Sequence, residues 1–290
     1  MSVLSIQSAV AYGHVGNSAA QFVLNRLGFE VWAVPTVQFS NHPGHGRHRG
    51  WVTPAAGIEE LVRGLDEIGR LGECRALLTG YLGDPDQGQA VLAAWQRLRH
   101  ANPQAMWLCD PVIGDDGRIF VHPGVPQHLA SEALPVADFL TPNAFELGYF
   151  AESAPRTTAE AVAAARRLAK GSQAKGGQGR RARVVATGLR LADIPADKIA
   201  IVAVSGGHAW RVLTPAIDGR WPGAGDAFAA LLLAGLLRGR PLPAATAMAT
   251  SAVHALITAS QAAGESELAL IQAQSDWLRP RQRFAAERVS

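Results

Sequence analysis

Two apolar periods alternate along nearly the whole chain, and this alternation limits the fold more than any other feature. Short runs rich in β-branched or aromatic residues end at Gly, Pro, Asn or Asp, and longer stretches of helical period separate them. The short runs are Val3 to Ile6, Val31 to Val37, Ala76 to Thr79, Met106 to Cys109, Phe139-Leu140, Arg183 to Ala186, Ile199 to Val204 and Ala209 to Leu213. Helical period occupies Ser18 to Leu27, Gly57 to Leu71, Asp86 to Arg99 and Thr158 to Ala169, then Ala224 to Leu237, Ala244 to Ile257 and Glu265 to Leu278. Strand–helix alternation of this kind predicts a three-layer α/β/α sandwich with a largely parallel central sheet. Asn17 or Ser18 can cap the first helix, and Thr157-Thr158 followed by Glu160 can start the fourth. The runs at 199–213, joined through Ser205-Gly206-Gly207-His208, predict a β-hairpin at the sheet edge. The segment Gly171 to Arg181 reads as a mobile surface loop, extending to about residue 182. There is no internal repeat, so one domain over 1–290 is the simplest account.

Composition narrows the classes of function. With 48% hydrophobic and 18% charged residues, the chain can bury a large core. Its formal net charge is only +3, and the densest basic cluster (Arg180, Arg181, Arg183) sits among glycines, which argues against a nucleic-acid partner. Cys74 and Cys109 are the only cysteines, too few for a disulfide framework and suited to a reducing compartment. Met1 to Val10 lacks the basic start of a secretory signal, and no uninterrupted apolar stretch reaches the ~18 residues of a membrane span. The expectation is a cytoplasmic protein that does not enter a membrane.

Four segments carry chemistry. Pro222-Gly223-Ala224-Gly225-Asp226 opens an Ala/Leu-rich helix. A glycine-rich turn there offers unpaired N–H groups and the positive end of a helix dipole to a transferring phosphoryl group, and Asp226 can take a proton from an attacking hydroxyl. No GxxxxGK[ST] loop and no strand-borne GxGxxG turn competes with it. Cys109-Asp110-Pro111 and Thr141-Pro142-Asn143-Ala144-Phe145-Glu146 follow strands, so Asp110 and Glu146 can share one sheet edge and act on a Mg²⁺ carried by a nucleotide, directly or through water. Ile6 to Asn17 reads as a strand running into a glycine-spaced loop, with Ser8 at the same edge. In Gln38 to His48, His42, His45 and His48 recur every third residue, but Pro43 and the intervening glycines forbid a helix and the spacing matches no zinc pattern. A ligand-contacting loop is the better reading, with Phe39 able to stack on a planar ring.

In this order the segments resemble the pyridoxal kinases of the ribokinase superfamily, in their shorter bacterial type. The motifs are IQSAVAYGHVGNSAA (6–20), TVQFSNH (36–42), LLTGYLGD (77–84), CDPVIGD (109–115), TPNAFEL (141–147), GAGD (223–226) and the C-terminal ELALIQAQSDW. The resemblance implies a ribokinase-like fold and ATP-dependent phosphorylation of the 5′-hydroxymethyl of pyridoxal. It implies Asp226 as base, Gly223, Ala224 and Gly225 as anion hole, and Ser8 on the pyridine ring. It places Phe39, His42, Pro43, Gly44 and Tyr81 along the substrate, with Asp110 and Glu146 around the metal. Thr141, Thr187 and the run Thr214-Pro215-Ala216-Ile217 fall to the nucleotide. Cofactors would be ATP and Mg²⁺, with a response to K⁺, and the enzyme would be a homodimer.

Two departures stand out. Better-known members have NHT where this chain has His42-Pro43, which removes a hydroxyl and an N–H, and His45 and His48 stand where aromatic residues are expected. The stretch Asp115 to Val121 lacks a cysteine often found there in the shorter type. The departures motivate a second reading, a kinase of the same superfamily acting on hydroxymethylpyrimidine or another small alcohol. A third reading, a non-catalytic B6-binding protein, sits poorly with the retained base and anion hole.

Overall fold

The structure, a computed structural model, describes residues 1–171 and 182–290. The surface loop expected at 171–182 thus lies almost entirely outside the described residues. The strands are β1 (Ser2–Tyr12), β2 (Glu30–Asn41), β3 (Gly50–Val52), β4 (Cys74–Thr79), β5 (Met106–Cys109), β6 (Gly114–Asp115), β7 (Arg118–Ile119), β8 (Phe139–Leu140), β9 (Arg183–Leu189), β10 (Lys198–Ser205), β11 (His208–Pro215) and β12 (Ala286–Arg288). The helices are α1 (Asn17–Arg26), α2 (Ala55–Glu67), α3 (Asp86–Ala101), α4 (Gly124–His128), α5 (Ala144–Phe150), α6 (Thr158–Gly171), α7 (Ala224–Leu237), α8 (Leu242–Ala262) and α9 (Gln274–Leu278).

Ten strands form one sheet in the order β12-β11-β10-β9-β8-β5-β4-β1-β2-β3, and β6 and β7 form a separate hairpin. The six central strands pair in parallel, while β3 and β10 to β12 are antiparallel additions at the two sides. Side chains alternate across the sheet as its period of two requires. Leu4, Ile6, Leu77, Trp107, Leu140 and Val184 join the core under α2, α3 and α6. Val3, Ala76, Leu78, Leu108, Phe139 and Val185 join the core under α1, α7 and α8. Burial on both faces explains why these strands read as continuous apolar runs.

Several local expectations are corrected. Neither Asn17 nor Ser18 caps α1: Gly16 is the N-cap, and the Asn17 side-chain amide instead donates to the carbonyls of Gln7 (3.0 Å) and Val34 (3.3 Å), stapling β1 to β2. Thr157 does start α6, its hydroxyl accepting the Glu160 N–H at 3.3 Å. The 205–208 hairpin forms, but β12 pairs outside β11, so it is one strand in from the edge. Of Glu265 to Leu278 only α9 is helical, because 267–270 runs irregularly into the core. α8 is long and apolar enough to cross a membrane by length and composition, yet Ala245, Ala249, Ala252 and Leu256 are buried in the core beside α7, as in the central helix of a globular domain.

From β1 the chain steps to β2 on one side, then returns to β4 on the other. Such a reversal opens a crevice beyond the carboxyl ends of the strands, the general location of ligand sites in open α/β sheets.

Candidate active site

α7 starts at this crevice. Nine consecutive residues, Ala227 to Gly235, are buried, so the helix is held all round and its first turn is fixed in place. Gly223 is the N-cap in the left-handed region (φ 88°), and a Cβ there would collide with the carbonyl oxygen of His14. Only glycine fits this turn. The Ala224 N–H donates to Trp221 O at 3.1 Å, so of the three expected anion-hole amides this one is occupied by the turn itself. The N–H groups of Gly223 and Gly225 have no protein acceptor among the described residues, and Gly225 is exposed. Both therefore remain available to an anion at the positive end of the helix.

Asp226 lies one residue further on, half-buried. Burial pushes its carboxyl up, against hydrogen bonds from the Gly16 N–H and its own N–H that hold it down. The loop between β1 and α1 thus grips the carboxylate. Gly16 in turn lies against Ser8: a Cβ on Gly16 would overlap both the Ser8 carbonyl and its hydroxyl oxygen. Ser8 thus sits at an irregularity of β1 between Gln7 and Ala9, directly against Gly16.

Across the crevice, Asp110 follows β5 and is 7% exposed. Its Oδ1 accepts the Thr141 hydroxyl at 2.8 Å, while its Oδ2 faces Gly225. Burial first, then the Asp226 charge, push its carboxyl up to about 7, against the Thr141 bond. Glu146 is 3% exposed and caps α5: Oε1 accepts the Ile113 N–H at 3.0 Å and Oε2 the Asn143 N–H at 2.9 Å, and Asn143 caps in return. Burial and the Asp110 charge push it well up. A buried, mutually repelling set of carboxylates beside free amides suits a divalent cation brought in on polyphosphate. Asp110 can reach such an ion; the two Glu146 oxygens are already engaged, which suits contact through water.

The residues expected along the acceptor come from the next strands over. Phe39 pairs with Val10 in register, and its ring meets the His48 ring at a tilt of 48°, centroids 4.6 Å apart. The strand β2 runs on to Asn41, so Phe39 belongs to the sheet and only 42–49 is a loop. His42 caps a short turn over Pro43 and Gly44, its Nδ1 accepting the Gly44 N–H at 3.0 Å. Burial lowers the imidazole's pKa, and an accepting Nδ1 places the neutral ring's proton on Nε2. Tyr81, two residues past β4, is half-buried, and its carbonyl accepts the Thr36 hydroxyl at 2.7 Å.

The remaining nucleotide candidates lie on the other flank. Thr187 is inside β9 rather than after it, its N–H donating to Pro142 O at 2.9 Å, which ties it to the Thr141 loop. Thr214 and Pro215 end β11; Ala216 and Ile217 lead toward the 222–226 turn, with the Ala216 N–H on Asp197 O. Sequence reasoning missed Gly16 as a holder of Asp226 and Glu267 as a buried acid beside these loops. Gly16 had a signal in the GHVGN spacing; Glu267 had only its place at the head of ELALIQAQSDW.

A family model described as phosphomethylpyrimidine kinase matches residues 60–270. The pyridoxal kinase of Leishmania donovani, solved in complex with ADP and ginkgotoxin, superposes with a TM-score of 0.91 over 100% of this chain and 99% of that one, at 29% identity. Fold and site together define a ribokinase-like small-molecule kinase. A pyridoxal kinase PdxY of Rubrobacter xylanophilus is 46% identical over 100% of this chain and 98% of its own, and one of Deinococcus radiodurans is 45% identical over 99% and 96%. The chain belongs to the pyridoxal kinase family.

Proposed function

We propose that this chain transfers the γ-phosphoryl of ATP to the 5′-hydroxymethyl of pyridoxal, and of pyridoxine and pyridoxamine. Asp226 beside the free Gly223 and Gly225 amides is the observation that carries this reading. The hydroxyl oxygen attacks phosphorus in line; its proton passes to Asp226, the new O–P bond forms, and the bond to the β-phosphate oxygen breaks to release ADP. Charge spreading over the equatorial oxygens meets the two N–H groups and the helix end, which need not reorganise. The Gly16 N–H steadies the Asp226 carboxylate, and positioning supplies most of the acceleration. Ser8 is the partner for the pyridine nitrogen, Phe39 for the ring face, and His42, Pro43, Gly44 and Tyr81 the pocket wall. Thr141, Thr187 and Thr214 to Ile217 line the nucleotide.

Asp110, and Glu146 through water, are the residues that would hold Mg²⁺, which when bound offsets phosphate charge. K⁺ stimulation, a cytoplasmic location, a homodimer and a single kinase domain over 1–290 complete the reading. Light scattering of the purified chain tests the dimer, and Trp51, 63% exposed on β3, is a residue to probe for contact.

The deciding experiment is ATP- and Mg²⁺-dependent turnover of the three B6 vitamers and hydroxymethylpyrimidine, following product directly. Efficient conversion of pyridoxal is expected. The family model and Pro43 favour hydroxymethylpyrimidine as the second candidate, and its preferential turnover would replace the first reading. Vitamer binding without turnover would mean a B6-binding protein.

A further inference from the structure

The site leaves one buried carboxylate without a task. Glu267 is 7% exposed and lies in the irregular stretch between α8 and α9. Its Oε1 is 2.7 Å from His45 Nε2, in the loop after β2, and its Oε2 accepts the His14 N–H at 3.2 Å, in the loop after β1. A Cβ on Gly13 would overlap this carboxylate, so the glycine is what lets Glu267 reach the backbone. Tyr12 closes edge-on against the His45 ring, centroids 5.7 Å apart. The next residue, Leu268, packs at Gly223, whose turn also rests on the His14 carbonyl. One short segment therefore touches the 42–48 loop, the 12–16 loop that grips Asp226, and the anion-binding turn. A buried carboxylate is costly beside an apolar side chain of its size, and its two oxygens are spent on joining two loops.

We propose that Glu267 is a positioning residue: through His45 it latches the 42–48 loop onto the 12–16 loop, and so sets the affinity for the alcohol substrate without touching it. The inference rests on the reading that 42–48 lines the acceptor pocket. Losing His45 frees the 42–48 loop and leaves the Glu267–His14 contact in place, whereas losing Glu267 also releases the His14 N–H of the 12–16 loop.

The test uses the full chain with His45→Ala, Glu267→Ala, the pair combined, and Glu267→Gln. Without any ligand, amide hydrogen exchange in 43–48 should quicken about tenfold in both single variants, the scale of a lost charge-assisted hydrogen bond. In turnover, KM for pyridoxal should rise about tenfold in His45→Ala with KM for ATP and kcat within about twofold, the double variant should be no worse than the worse single one, and Glu267→Gln should recover part of the loss seen in Glu267→Ala. Unchanged exchange in 43–48, additive effects, or a parallel rise in KM for ATP would overturn the latch. If Glu267→Ala does not fold, His45→Ala, at a partly exposed position, carries the same readouts. If the wild type does not turn over pyridoxal, the substrate reading fails, while the exchange measurement still decides the latch.

Discussion

Replacing Gly223 by alanine tests the anion-binding turn more sharply than any change at Asp226. An alanine there must hold φ near 88°, which costs about 1–2 kcal/mol for a residue with a Cβ. The added Cβ would also lie 1.7 Å from the His14 carbonyl oxygen, so the turn or the 14–15 peptide must move by more than about an ångström. A shift of ~1 Å at a phosphoryl-transfer site is worth about a hundredfold in rate, and in a domain of this size 1–2 kcal/mol lowers Tm by about 2–3 °C. Gly225→Ala is the control. Its Cβ would meet nothing nearer than Asp110 Oδ2 at 4.0 Å, and it sits in the first turn of a helix, where alanine is favoured. Gly225→Ala should therefore keep or raise Tm, yet lose at least about tenfold in turnover because a methyl stands where the phosphate approaches. Product formation by chromatography and melting by fluorescence give both numbers. Gly223→Ala with turnover within about threefold of wild type and an unmoved Tm would refute the reasoning.

Further outcomes follow from the carboxylates. Asp226→Asn should cut kcat by about a hundred- to ten-thousandfold while ATP affinity, read by calorimetry, is retained; near wild-type turnover would remove it as base. Glu146→Ala orphans the Ile113 and Asn143 N–H groups and should cost on the order of 3 kcal/mol, seen as a denaturation midpoint lowered without a change in slope. Asp110 titrates near 7 in the fold against 3.8 in the reference state, so between those values the folded chain holds the extra proton. In EDTA, wild-type stability should fall as pH rises from about 4 to 7 and level off above. Asp110→Asn should be the more stable protein at pH 8, with the gap shrinking toward pH 4; a gap independent of pH would contradict the assignment.

The sheet was legible because its strands are buried on both faces and stand out as apolar runs between helical periods. The start of α7 was legible because a glycine-rich turn before an Ala/Leu run marks a helix N-terminus, and Gly223 is its left-handed N-cap. Other parts were hidden by long-range partners. Asn17 is a good cap by type, but three strand carbonyls claim its amide. Glu146 reads by position as acting on a metal directly or through water, and the sequence did not show that its two oxygens also close the capping box and hold the Ile113 amide. Glu265 to Leu278 carries an apolar pattern that passes for a helix, but the Ser260 hydroxyl accepts the Ala269 N–H and the Leu270 carbonyl accepts the Trp277 indole N–H, pinning an irregular path. The β6–β7 hairpin was within reach: Asp116-Gly117, at φ 49° and 77°, is the two-residue signal for such a turn.

The reversal of strand order between β1 and β4 also divides labour. Asp110, Thr141 and Thr187 descend from β5, β8 and β9 on one side, whereas Phe39 and the histidine loop hang from β2 on the other. On the proposed roles, mutations that remodel acceptor choice can accumulate on β2 and its loop without crossing into the residues assigned to the nucleotide. Proline at 43 and histidines at 45 and 48 are changes of this confined sort, and a lineage could drift in the alcohol it prefers while inheriting its phosphoryl chemistry intact.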